Sequence, residues 1–150
     1  MDESKPDSLL SGAMEPKQPN TSLPRQILTI LAVQDLPASV SFYTQLLGWK
    51  PTIEAPVFVE LTGPGNQKIG LYQRESYAIN TGQMPDRPRA GQAGPTEIYF
   101  HCDDLEARME QAHELGAREL SPLADRPWGD EVAYFADPDE NVIALSRPKP

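Results

Sequence analysis

One cysteine, Cys102, is all that the 150 residues contain, which excludes an internal disulfide and any site built from several thiolates. Long apolar runs are missing as well. No stretch approaches the roughly 18 consecutive apolar residues that a membrane span needs, and the opening MDESKPDSLLSGAMEP lacks the basic-then-apolar order of a secretory signal. A cytoplasmic location is the expectation. Positive charge is also in short supply: 13 Lys plus Arg stand against 22 Asp plus Glu, a net charge of -9. Such a chain repels phosphate backbones and anionic headgroups, so neither nucleic acid nor a membrane surface is an expected partner. What remains is ordinary: 39% hydrophobic and 23% charged residues, enough to build one compact domain with a real core.

Residues 1–24 are short of large apolar side chains and carry Pro6, Pro16, Pro19 and Pro24. A segment of this kind buries too little surface to offset its ordering entropy and reads as a disordered tail. From Gln26 the pattern changes. ILTILAV reads as a strand. In DLPASVSFYTQLLG, Asp35 can cap a helix, Pro37 suits its first turn, Val40, Tyr43 and Leu47 recur at helical spacing, and Gly48 stops it. Three short strand candidates follow, WKPTIE, PVFVELT and QKIGLYQ, the last two separated by the turn GPGN.

The order then recurs. TEIYFHC is a strand, DDLEARMEQAHELG a helix with Leu105, Met109, Ala112 and Leu115 on one stripe, and DEVAYFA and NVIALSR are strands around the turn DPDE. VQDLPA aligns with CDDLEA, pairing Asp35 with Asp104, and FVELTGPGNQKIGL aligns with VAYFADPDENVIAL, pairing Gly70 with Ala144. Helix caps, stops and turns agree in order, as an internal duplication requires. The expected organisation is a domain over 26–147, with modules 26–74 and 95–147 joined by a polar linker 75–94.

Two tandem βαβββ modules, with DL at the helix start, Phe42-Tyr43 before LLGW, AGPTEIYF opening the second module and WGDEVAYFADPDENVIAL near its end, resemble the vicinal oxygen chelate superfamily. This is the glyoxalase, bleomycin resistance and extradiol dioxygenase group. The resemblance implies an α+β fold in which the modules form a curved, cup-shaped mixed β-sheet with helices outside. One departure is Glu140, which stands where a glycine is usual after DPD and should strain that turn. Metal-binding members carry their ligands on the first and last strands of each module, and those positions map onto Leu28, Gly70, Glu97 and Ala144. Only Glu97 has a donor side chain, so neither a metal nor another cofactor is expected.

Strand side chains alternate, so residues two apart from these positions also face the cup. The expected lining by alternation is Tyr72, Arg74, Tyr99 and His101; the resemblance implies that the strand carrying Phe58 and Glu60, and its repeat carrying Tyr134, also face the ligand, and Arg126 and Trp128 come from the loop ADRPWGD. An aromatic cup with a few polar groups suits an organic ligand of modest size, cationic or a hydroxylated aromatic. Glu60 and Glu97 are the candidate catalytic carboxylates, since an unpaired carboxylate withdrawn from water has the raised pKa that a general base needs. Pairing with Arg74 or His101 would give them a structural role instead. The preferred expectation is metal-independent binding of a small molecule. The alternatives are a metal-independent lyase, isomerase or hydrolase using Glu97 or Glu60, a metal-dependent glyoxalase or dioxygenase, and a purely dimerising module. Module exchange within a homodimer is permitted by the linker in this superfamily.

Overall fold

The computed structural model describes residues 22–150; the expected tail falls outside them except for its last three residues, which are exposed. The first module runs β1 (Thr29–Val33), α1 (Leu36–Leu47), β2 (Lys50–Glu54), β3 (Phe58–Thr62) and β4 (Lys68–Gln73). A short helix α2 (Arg74–Thr81) follows, and then the second module, β5 (Glu97–His101), α3 (Leu105–Glu114), β6 (Arg118–Asp125), β7 (Asp130–Ala136) and β8 (Val142–Pro148). Each module makes one four-stranded mixed sheet, in the orders β1-β4-β3-β2 and β5-β8-β7-β6. The repeat extends to the register. Ile30 and Glu60 flank Gly70 as Tyr99 and Tyr134 flank Ala144. The duplicated α+β fold with open sheets is therefore as the sequence pattern implies.

Local chemistry explains the helices. The Asp35 carboxylate accepts the Ala38 N–H at the start of α1, Pro37 sits in its first turn, and Gly48 closes it with φ 70°. Its buried face is Leu36, Ser39, Phe42, Tyr43 and Leu46, with Val40 and Leu47 at the margin. Alternate residues Leu31, Val33, Val59, Leu61, Ile69 and Leu71 meet this face, and in the second module Phe135, Ile143 and Leu145 meet Leu105 and Ala112 of α3. The buried residues form one cluster across both modules, with α1 against α3. Both helices thus cover the same side of the sheets, and the opposite faces stay open.

The turn between β7 and β8 joins the modules. Asp137, buried in that turn, accepts from Asp139 N, Asn141 N and Asn141 Nδ2 at 2.8, 2.9 and 2.9 Å. It also takes the hydroxyl of wholly buried Tyr43 from the first module. Asp139 accepts from Gln34 N at 2.9 Å and from Ser39 Oγ at 3.3 Å. Glu140 in the same turn has φ 68°, the left-handed conformation that makes glycine usual there, and its carboxylate is taken up by Arg118 at 2.7 Å.

One expectation needs correcting in detail. The segment read as a polar linker begins with α2, whose Tyr77 packs edge-on against Tyr72 at 5.8 Å. His113, on the exposed side of α3, rests its ring edge on Phe135 at 5.2 Å and meets Glu119 at 2.8 Å.

Candidate functional site

On the open face of the first sheet, Leu28, Phe58, Gly70 and Tyr72 are neighbours. A Cβ at Gly70 would lie 2.8–2.9 Å from the Phe58 ring and Leu28 Cδ1, so apolar side chains occupy the space into which a longer side chain would project. Phe58 and Tyr72 meet edge-on at 5.4 Å, and the Tyr72 hydroxyl accepts from Asn80 of α2 at 2.5 Å. Arg74, expected on β4, instead opens α2 and donates to the Pro85 carbonyl at 2.5 Å. Neither it nor His101 pairs with Glu60. Thr52 Oγ1 donates to Glu60 at 2.8 Å and Lys68 Nζ lies at 3.3 Å, and these two hold the carboxyl below its ordinary value, against the desolvation of its site. Glu60 is a paired anion.

The second sheet carries the other cluster. The Trp128 indole N–H donates to Tyr99 Oη at 2.8 Å, and Tyr99 donates to Asp130 Oδ2 at 2.5 Å. His101 Nε2 lies 3.1 Å from that same oxygen. The Tyr99 and His101 contacts lower the Asp130 pKa, while burial and the Asp130 charge raise that of Tyr99. The loop before β7 folds back over the sheet: Arg126 donates to Ser121, Pro122 and Val132 at 3.0–3.1 Å, with its guanidinium 5.1 Å from the Tyr134 ring centre. Trp128 remains 58% exposed, its indole fixed at the N–H end. Glu97 is exposed at the start of β5.

A cleft of about 600 Å³ adjoins this cluster, lined by Tyr99, His101, Cys102 and Arg108 from the second module and by Trp49 and Gln67 from the first. Its volume falls in the range of small-molecule sites, about 300–1,000 Å³. Trp49 packs edge-on to Phe100 at 5.9 Å in the seam between modules. Burial raises the Cys102 thiol pKa, so it is no activated nucleophile. Among the described residues, no hydrogen bond, ion pair or ring contact joins a candidate side chain of one sheet to one of the other. Asp130, Thr52 and Lys68 were missed from sequence. Counting back two from Val132 and from Gly70 along the alternation would have found Asp130 and Lys68.

The sequence pattern of the Glyoxalase/Bleomycin resistance protein/Dioxygenase superfamily matches residues 25–145. The chain belongs to that superfamily. Among its relatives is the uncharacterized protein YraH of Bacillus subtilis (strain 168), 30% identical over 119 residues that span 78% of this chain and 93% of YraH. A glyoxalase-related enzyme from Fulvimarina pelagi superposes with a TM-score of 0.72 at 22% identity, over 83% of this chain and 88% of its own. A glyoxalase/bleomycin resistance protein/dioxygenase from Nocardioides does so with 0.66 at 25% identity, over 85% and 86%. These likenesses bear on the fold.

Superfamily members that bind a metal supply several donors, and the residues here do not fit one. Leu28, Gly70 and Ala144 offer no ligand atom, and among the described residues no group of three or more His, Cys, Asp or Glu side chains is placed to hold an ion. No helix among them is long and apolar enough to cross a membrane.

Proposed function

We propose that this superfamily member is a metal-independent small-molecule binding protein of the glyoxalase/bleomycin resistance type. Its ligand would be an organic molecule with a flat or apolar body, cationic or hydroxylated. The observation that carries the reading is the Trp128–Tyr99–Asp130–His101 cluster beside the 600 Å³ cleft. Trp128 offers an oriented stacking face, and Asp130 supplies negative charge in a site partly withdrawn from water. Phe58 and Tyr72 form a second aromatic patch on the other sheet, with Arg126 and Tyr134 at the far side of the first. A second copy of the chain, contributing the complementary sheet, would bring these halves into one cup.

A thermal-shift screen with cationic glycopeptides, polyphenols and aromatic metabolites tests the proposal. A hit should quench Trp128 fluorescence, and Trp128→Ala should weaken it about tenfold, the equivalent of ~1.4 kcal/mol. A screen without a single stabiliser, repeated at protein concentrations that favour the dimer, counts against binding. The catalytic alternative, a lyase, isomerase or hydrolase, rests on Glu97 more than on Glu60, because the Thr52 and Lys68 contacts make Glu60 a weak base. Turnover of a true substrate by Glu97→Gln at the wild-type rate would eliminate it.

A further inference from the structure

We infer that His101 is the hydrogen-bond- and proton-accepting group of the cleft, with Asp130 as the residue that positions it. This rests on the binding reading above and adds a requirement on the ligand: it presents an acidic O–H beside its flat body.

The argument is one of donors and acceptors. Asp130 Oδ2 already accepts the Tyr99 hydroxyl at 2.5 Å, and its lowered pKa keeps the carboxylate ionised at neutral pH. An ionised carboxylate has no proton to give. The 3.1 Å contact with His101 Nε2 is therefore made by an Nε2–H donor. A neutral imidazole that carries its proton on Nε2 has a lone pair on Nδ1, and the partner of one nitrogen fixes the role of the other. Nδ1 makes no hydrogen bond among the described residues. The ring is 55% exposed at its side chain and lines the cleft. Within the cluster the donors are committed: the Trp128 N–H to Tyr99 and the Tyr99 O–H to Asp130. The cluster therefore presents an acceptor to the cleft through His101. Should the ligand transfer its proton, Nδ1 gains it, the ligand oxygen keeps the electron pair, and Asp130 stabilises the resulting imidazolium.

The chain has two histidines, so imidazole nitrogens are readily assigned. In the uniformly ¹⁵N-labelled full-length protein, long-range ¹H–¹⁵N spectra at pH 8 should show His101 as a fixed Nε2–H tautomer. Asp130→Ala should relax it to the average of a free imidazole, with His113 unchanged. Phenol should shift Nδ1 of His101 several-fold more than anisole, which has the same ring without the donor, and should bind several-fold more tightly in a tryptophan-fluorescence titration, a difference in affinity that His101→Phe should abolish. An Nδ1–H tautomer in the wild type, or equal Nδ1 shifts with both fragments, overturns the inference. Shifts confined to Trp128 and Tyr99 also overturn it while leaving the binding reading intact. A cleft silent to both fragments counts against both.

Discussion

Replacing Tyr43 with Phe removes one oxygen from the middle of the junction between modules and leaves the ring packing in place. Tyr43 is wholly buried, and its hydroxyl goes to the Asp137 carboxylate on the other module. A hydrogen bond to a charged group contributes about 1.5–3 kcal/mol, and three donors remain on Asp137 in the variant, so the lower half of that range is expected, about 1.5–2 kcal/mol. For a domain of this size each kcal/mol lowers Tm by about 4 °C, which predicts a loss of about 6–8 °C in a thermal melt at neutral pH. The pH dependence has a definite sign. Burial raises the Asp137 pKa in the folded protein, and the Tyr43 bond opposes that rise. The Phe variant therefore has the higher folded pKa, and ionising its Asp137 costs it more. The gap between the two proteins is full where Asp137 is ionised and narrows as acid protonates the carboxyl, toward the about 0.5–1.5 kcal/mol of a neutral bond. A difference under about 2 °C at neutral pH, or one that widens in acid, would refute the reasoning.

The other expectations are briefer. Gly70→Ala places a methyl group 2.8–2.9 Å from Phe58 and Leu28 and should cost about 1–3 kcal/mol in urea unfolding, and Phe58→Ala in the same background should recover part of the strain. Glu60 has its pKa lowered by Thr52 and Lys68, so its contribution to stability is present above the unfolded carboxyl pKa and is lost as pH falls through the folded value. Glu60→Gln should accordingly flatten the acid limb of the stability–pH curve, and an unchanged limb would show the pair to be inert.

Much of the fold was legible because the signals are local and repeated. Asp35 and Gly48 bracket α1 by hydrogen bonding and backbone conformation alone, and the two turns fix where β3–β4 and β7–β8 reverse. The duplication supplied the register, since pairing Gly70 with Ala144 also pairs Glu60 with Tyr134. The α2 helix escaped notice because its eight residues lack an apolar stripe; Tyr77 is held by Tyr72, a contact no local pattern announces. Site chemistry was harder to read. Inward-facing positions follow from alternation, but the partner of a charge depends on which strand lies alongside. Glu60 found Lys68 across the β3–β4 ladder, and His101 found Asp130 from β7, a strand that does not adjoin β5 in the sheet.

The turns that began as copies of one another now bear unlike duties. Residues 63–67 of the first module support Trp49 and edge the cleft, so lengthening that loop would reshape an entrance. The equivalent loop at 137–141 anchors one half of the molecule to the other, and a single inserted residue there would loosen the seam that gives the cleft its second wall. The first hairpin can therefore change length without touching the junction between modules, whereas the second cannot.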